Sequence, residues 1–308
     1  MVVGRLAPSP TGALHLGNVR TFMIAWLSVR SQGGRLIMRM EDLDHPKDKP
    51  GAAAAAIADL RWLGFDWDEE CVQSERKALY REAIEDLHRR GLVYPCVCSR
   101  RDVASAQSAP HAGEQLFYPG TCRGRFATWR DAAAVHPPCW RFRVPDGAVV
   151  EFADRFAGPY RQEVAGTLGD FPLARDEGGA GYTLASTLDD LLTGVTEVVR
   201  GDDLLAATPA QILLARALRV SRADRNFAYV HVPLVVGADG RRLAKRHGDS
   251  RIAAFRAQGV SARRILGVLA ASCGWCEADE EPSLAELLPR FTLATIPHSP
   301  FVFRETLI

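Results

Sequence analysis

A segment that leaves an apolar run through Pro, Ser and Thr, then opens a helix through His, Gly and Asn, presents bare backbone amides to whatever sits above it. Arg5-Leu6-Ala7-Pro8-Ser9-Pro10-Thr11-Gly12-Ala13-Leu14-His15-Leu16-Gly17-Asn18 has that layout. Unpaired N–H groups at a strand-to-helix loop suit phosphate. Gly17 lets a flat or bulky group come close to the main chain, and His15 and Asn18 stand in the first helical turn beside it. Three other groups of residues could do chemistry. Glu41 follows a second apolar run, in Arg39-Met40-Glu41-Asp42-Leu43-Asp44. Arg242-Leu243-Ala244-Lys245-Arg246 is a basic loop that could meet developing negative charge. Cys96, Cys98 and Cys122 offer three thiolates, enough for a tetrahedral zinc site once a fourth ligand is supplied. Tyr118 and His111 are the candidates for that place.

The elements that must position these residues follow from periodicity. Residues 2–7 read as a short strand, and Val19, Phe22, Met23, Trp26 and Leu27 recur at helical spacing. Leu36–Met40 reads as a second strand, so the three make a βαβ crossover and a parallel sheet. Further helices are expected from Gly51 to a cap at Gly64, and from about Glu75 to Gly91 with Leu79, Tyr80, Ala83, Ile84 and Leu87 inward. From Cys96 to about Ala180 the chain is rich in Pro, Gly and Arg and looks inserted, with Trp140–Val144 alternating as a half-buried strand would. The α/β pattern resumes at Gly181. Pro209–Leu218 reads as a helix, Tyr229–Val236 as a strand with an unpaired donor face at Pro233, and Ala238-Asp239-Gly240 as a turn. The rest is mainly helical.

At 308 residues the chain has room for about two domains. Its 47% hydrophobic and 24% charged fractions are ordinary for a soluble globular protein. No apolar stretch approaches a membrane span, and Met1-Val2-Val3-Gly4-Arg5 lacks the layout of a signal peptide. A net charge of +1 excludes a general nucleic-acid coat. Between Arg241 and Arg264, however, eight Arg or Lys face one Asp, a local basic surface suited to phosphates of an RNA. Seven scattered cysteines without an export signal read as reduced thiols or metal ligands, and the cytoplasm is the expected compartment. Cys273 and Cys276 have redox spacing but follow an apolar helix, so they read as packing. Cys71 and Cys139 carry no signal.

The run from Arg5 to Asn18 followed by Arg39–Asp44 resembles the start of the glutamyl-tRNA synthetases and their class I relatives. The resemblance implies an α/β fold: a Rossmann-like parallel sheet with a zinc-bearing insertion and a C-terminal helical region. The divisions expected are 1–95 and 181–250 for the two catalytic halves, 96–180 for the inserted acceptor-type domain, and 251–308 for a helical region like a stem-contact domain. In that family His15-Leu16-Gly17-Asn18 matches the HIGH element that holds ATP. Arg242-Leu243-Ala244-Lys245-Arg246 resembles the KMSKS loop, with Lys245 in the catalytic place and Arg242 and Ala244 departing from the pattern. ATP would be held by His15, Gly17, Asn18, Arg242 and Lys245, with His15, Asn18 and Lys245 catalytic and Mg²⁺ accompanying the nucleotide.

Glutamate would be held by Arg5, Ala7, Ser9, Glu41, Tyr182 and Arg200. Elementary chemistry agrees: an ammonium wants a carboxylate such as Glu41, and a side-chain carboxylate wants a guanidinium fork such as Arg5 or Arg200. The spacing Cys96-x-Cys98 with Tyr118-x-x-x-Cys122, and a chain that stops without an anticodon-binding domain, resemble the shortened paralogues, the glutamyl-queuosine tRNA(Asp) synthetases. That implies Zn²⁺ on Cys96, Cys98, Tyr118 and Cys122. It also implies tRNA-independent activation of L-glutamate with ATP, and transfer to queuosine in tRNA(Asp) by a monomer with no membrane partner. The alternatives are a truncated glutamyl-tRNA synthetase charging a 3′ end and a non-catalytic module that binds glutamate or RNA.

Overall fold

The computed structural model describes residues 1–10, 12–43, 50–105, 117–175, 179–220, 227–241, 243 and 250–308. Strand β1 (Val3–Leu6), helix α1 (Leu16–Ser31) and strand β2 (Arg35–Met40) form the expected crossover, with Val3 opposite Arg35 and Leu6 opposite Met38 in parallel register. Helix α2 (Ala52–Trp62) leads to β3 (Glu69–Val72), a third parallel strand. Gly64 takes the left-handed conformation just past α2, at φ 91°, as its missing Cβ allows. Helix α3 (Lys77–Arg89) begins later than Glu75, because a 3-10 turn occupies Gln73–Arg76. Its buried face is Tyr80, Ile84 and Leu87; Leu79 falls one step around the helix and is 38% exposed, against expectation.

The segment after α3 contributes strands to two sheets. Strand β4 (Val93–Cys96), the short helices α4 (Arg100–Ser105) and α5 (Trp129–Ala133), and β5 (Cys139–Phe142) come first. The hairpin β6 (Val149–Asp154) and β7 (Gly158–Glu163), the turn of helix α6 (Val164–Thr167) and β8 (Phe171–Ala174) follow. An antiparallel sheet runs β4-β5-β8. Trp140, Arg141 and Phe142 are all buried, so the alternation expected of this strand fails: one face packs on the apolar cluster around α3 and the other on the cysteine cluster.

Helix α7 (Tyr182–Leu192), β9 (Glu197–Gly201), α8 (Thr208–Ala217) and β10 (Ala228–Val232) restore the α/β order. Their sheet runs β7-β6-β10-β9, so the hairpin of the 96–180 stretch joins the sheet of the second half. The two halves meet where the Thr196 amide donates to the Val3 carbonyl, 2.8 Å away. The strand expected over Tyr229–Val236 is broken in two, β10 and β11 (Val235–Val236). Pro233 has no N–H to continue the ladder, and its carbonyl takes a hydrogen bond from buried Arg20 at 2.8 Å. Helices α9 (Ile252–Ala257), α10 (Ala262–Ala271) and α11 (Leu284–Leu287) follow, and β12 (Phe301–Val302) returns to pair with β11. The C-terminal region is therefore less helical than its composition suggests. Helix α1 is wedged between the sheet and these helices, which buries it on more than one side: Val19, Met23, Ile24 and Leu27 are inaccessible.

Candidate active site

Arg5, at the end of β1, is buried, donates through Nη1 to the Val199 carbonyl at 3.0 Å, and lies 3.4 Å from Asp190. Its Nε is buried and has no hydrogen-bond partner. Arg39, on β2, is fully buried, donates to Glu41 Oε1 at 3.0 Å and pairs on its other side with Asp190. The Glu41 amide is anchored to the Pro8 carbonyl at 2.9 Å, so the carboxylate is fixed from both main chain and side chain. Burial pushes the Glu41 carboxyl above its ordinary range, against the pull of Arg39 and Arg5. Neighbouring Asp189 faces the other way from α7 and accepts from Gln73, Arg76 and Tyr80 at 2.7–2.8 Å. One pair of adjacent carboxylates thus anchors α3 and the two arginines at once.

Arg200, on β9, is buried; its Nη1 is 3.3 Å from the Tyr182 hydroxyl, its Nη2 donates to Thr208 at 2.8 Å, and its Nε donates to His231 at 2.9 Å. Tyr182 opens α7 and stands half-exposed at the mouth.

His15 is the N-cap of α1: its Nδ1 accepts from the amides of Gly17 at 3.1 Å and Asn18 at 3.4 Å. Asn18 returns the bond by accepting the His15 amide at 3.2 Å, which completes a capping box. An Nδ1 that accepts hydrogen bonds carries no proton, which leaves the neutral tautomer with its hydrogen on Nε2. A Cβ at Gly17 would come 3.0 Å from the His15 ring, so glycine preserves the ring's position.

These residues share one cleft of about 340 Å³, lined by Arg5, Ala7, Ser9, His15, Gly17, Asn18, Glu41, Tyr182 and Arg200. Every sequence-predicted glutamate and ATP residue among the described ones is in it. Arg242 and Lys245 lie outside the described residues, as does His111. From residue 250 the chain lies against the start of α1: Leu16 donates its amide to Ser250, and Ile252 donates its own to Leu14. Thr21, Phe22, Asp203, Leu204 and Val235 also line the cleft and were not expected there. Phe22 shares the helical spacing of Val19, Met23 and Leu27, yet it is only half-buried because its side of α1 faces the cleft. Thr21 and Phe22 could have been found from their spacing of three and four after Asn18.

The cysteine cluster lies elsewhere. The sulfurs of Cys96, Cys98 and Cys122 all fall within 4.8 Å of one another. Cys98 and Cys122 are 3.6 Å apart, and the Tyr118 oxygen is 3.2 Å from Cys96 and 3.8 Å from Cys98. Tetrahedral zinc with bonds of ~2.3 Å to sulfur spaces its ligands by roughly 3.8 Å, so the group fits such an ion. Cys139, set aside in the sequence, is the cross-strand partner of Cys96. Its hydrogen bond to Cys96, with Tyr118 and Arg141 adding to it against burial, draws the Cys96 thiol down to about 4. Burial, with Cys122 beside it, pushes the Cys98 thiol up to about 12. Burial and contact with Cys96 also raise the Tyr118 phenol, so Tyr118 resists ionisation. Gly169 is needed here: at φ 65° it passes so close to the Tyr118 carbonyl that a Cβ would lie 2.1 Å from that oxygen. Cys273 is fully buried and Cys276 donates to the Gly267 carbonyl at 3.5 Å, in keeping with packing.

The family model for class I tRNA synthetases (E and Q), catalytic domain, matches residues 1–293. This chain belongs to that family. A glutamyl-Q tRNA(Asp) synthetase of Symbiobacterium thermophilum is 47% identical over 97% of this chain and 95% of its own length. One from Rhodopirellula baltica is 47% identical over 92% of this chain and 88% of its own. Among solved structures, a glutamate tRNA ligase from Elizabethkingia meningosepticum, in complex with its amino acid, matches with a TM-score of 0.82 at 25% identity, over 99% of this chain and 68% of that one. Membership in the class I tRNA synthetases makes the chain a ligase, with the α/β parallel-sheet architecture that its first strands announce.

One sequence-based expectation is revised. Arg263 and Arg264 were read as part of a phosphate-binding patch, but Arg263 binds Glu286 and the Glu281 carbonyl, and Arg264 binds the carbonyls of Ala278 and Leu307. Both guanidiniums thus have partners within the C-terminal region, with the Arg263 side chain still 52% exposed. Among the described residues, no helix is long and apolar enough to cross a membrane.

Proposed function

We propose that this chain activates L-glutamate with ATP without needing tRNA, and then transfers it to the cyclopentenediol of queuosine in the anticodon of tRNA(Asp). The single observation that carries the reading is the cleft itself, where two buried guanidiniums and a half-buried carboxylate meet the capped start of α1. The transfer step takes its support from the names of the relatives.

In the first step Glu41 takes the ammonium of glutamate, while Arg5 and Arg200 take its side-chain carboxylate, with Tyr182, Ser9 and the main chain at Ala7 bounding the site. The α-carboxylate oxygen then attacks the α-phosphorus of ATP and pyrophosphate leaves. His15 and Asn18 hold the nucleotide at the open end of α1, with Gly17 giving it room. Lys245 neutralises the charge that builds on the leaving group, beside Arg242. Mg²⁺ bound with ATP supplies further charge neutralisation. In the second step a ring hydroxyl attacks the acyl carbon, AMP leaves, and the hydroxyl proton departs with the phosphate of the leaving AMP. The first step is the work of positioning and electrostatics rather than proton transfer.

Zn²⁺ on Cys96, Cys98, Cys122 and Tyr118 has a structural part in this reading, supported by the spacing of their ligand atoms. The same reading expects a cytoplasmic monomer, with 96–180 as an insertion between catalytic halves and 251–308 as a stem-contact-like region.

ATP–pyrophosphate exchange on purified protein, with each amino acid and with or without tRNA, tests the first step. Exchange that needs glutamate and no tRNA is the expected result. Transfer to tRNA(Asp) with and without queuosine, before and after periodate, tests the second. Acceptance by the 3′ end would instead favour a shortened glutamyl-tRNA synthetase, and no exchange at all would leave a binding module.

A further inference from the structure

Three strands carry a buried polar line that ends on Arg200, and its other two members, Asp154 and His231, have no part in the steps above. Asp154 ends β6, His231 lies on β10, and Arg200 lies opposite His231 on β9. All three are at most 5% exposed. Asp154 accepts the amides of Phe156 at 2.9 Å and Ala157 at 2.7 Å, and its Oδ2 is 2.6 Å from His231 Nδ1. A carboxylate so fixed accepts a hydrogen bond from Nδ1–H, keeps the imidazole proton on Nδ1, and leaves Nε2 as an acceptor. Nε2 takes the Arg200 Nε–H at 2.9 Å, and the Thr208 hydroxyl lies beside it at 3.1 Å.

A guanidinium held at Nε by one acceptor and at Nη2 by another cannot rotate. Its remaining edge is turned to the Tyr182 hydroxyl and the cleft. We propose that His231, oriented by Asp154, is a positioning residue that fixes the Arg200 fork on the side-chain carboxylate of bound glutamate, and so sets the preference for the acid over its amide. This rests on the glutamate-activating reading above.

Proton gain would undo the arrangement, since Nε2–H would then point at the Arg200 N–H. The charges around the ring resist it from several sides: Arg200 on β9 and Arg5 on β1 repel a second cation, while Asp154 on β6 and Asp202 just past β9 favour one. Tyr229, on the same strand, stacks 6.0 Å away. Burial dominates and holds the ring neutral, below the ordinary imidazole range.

The test is glutamate-dependent ATP–pyrophosphate exchange by His231→Leu and His231→Gln, with thermal unfolding as a folding control. His231→Leu should raise KM for glutamate at least tenfold, with kcat and KM for ATP within threefold, and should lower the glutamate-over-glutamine ratio by a similar factor. His231→Gln, which keeps an acceptor near Nε2, should recover most of that loss. Should His231→Leu fail to fold, the pH profile decides. Wild-type KM for glutamate should rise once the pH falls well below the ordinary imidazole range, and in His231→Gln it should rise less, by what Glu41 alone contributes. An unchanged KM in His231→Leu, equal rises for glutamate and ATP, or identical pH profiles would overturn the proposal alone. A wild-type protein with no glutamate-dependent exchange would overturn the functional reading as well.

Discussion

The backbone N–H of Leu16 donates to the carbonyl of Ser250 across 3.1 Å. With the Ile252 amide bonded back to Leu14 at 2.9 Å, the first turn of α1 is stitched to the chain just beyond Lys245. Two segments more than two hundred positions apart thus meet at the helix start that borders the cleft. If Lys245 meets the leaving pyrophosphate there, Lys245→Ala should lower exchange by about 100-fold, a barrier increase of ~2.7 kcal/mol, with KM for glutamate little changed. A drop under threefold would remove Lys245 from the reaction.

Asp190 is the shared counter-charge of Arg5 and Arg39. Both arginines are almost wholly buried, and removing one partner of a buried ion pair costs about 3 kcal/mol or more. Asp190→Asn should therefore lower unfolding free energy in urea by about 3 kcal/mol and weaken glutamate binding together, because Arg39 also holds Glu41. A variant that loses affinity with no loss of stability would show that the pair serves the ligand alone.

The cysteine cluster separates three residues by metal content. Purified protein should carry zinc by elemental analysis, and Cys122→Ser should lose it. Tyr118→Phe should weaken binding at least about tenfold in competition with a chromophoric chelator, and full retention would remove Tyr118 from the ligands. Cys139→Ser should keep the metal, since Cys139 touches Cys96 without joining the group of three sulfurs.

Acid should destabilise the fold in two stages. Burial holds His231 neutral in the native state, against the pull of Asp154. The unfolded chain therefore binds a proton below about pH 6.5 that the native protein refuses, and unfolding free energy falls as pH drops through that range. Asp154 adds a second stage. Burial raises its carboxyl, but hydrogen bonds from His231 and three amides outweigh that and hold it low. Its contribution is present above about pH 4 and is lost as pH falls through the lower native value. Denaturant titrations from about pH 7 to 5 should show a shallower slope in His231→Leu; an unchanged slope would place the first stage at other groups.

The crossover, the capped helices and the cleft residues of the first forty positions were legible because periodicity and turn chemistry are local. So were the members of the cysteine group, through their spacing. Asp154 and His231 were not, because each sits in a strand that reads as ordinary and their partnership depends on pairing between β6 and β10. A histidine inside an otherwise apolar strand was the one available hint. Arg39 and Arg141 were hidden for a related reason: an arginine in a strand looks solvated until its carboxylate or sulfur partner arrives from elsewhere in the chain. The charge run around Arg263 misled in the opposite direction, since composition cannot show that a cation is already occupied by carbonyls and Glu286.

His15 commits one ring nitrogen to closing α1 and turns the same ring toward the cleft. Any replacement at this position must therefore solve two problems with one side chain: start the helix and serve the ligand. Serine or aspartate would satisfy only the first, and so a drifting lineage could keep its fold here while quietly losing its chemistry.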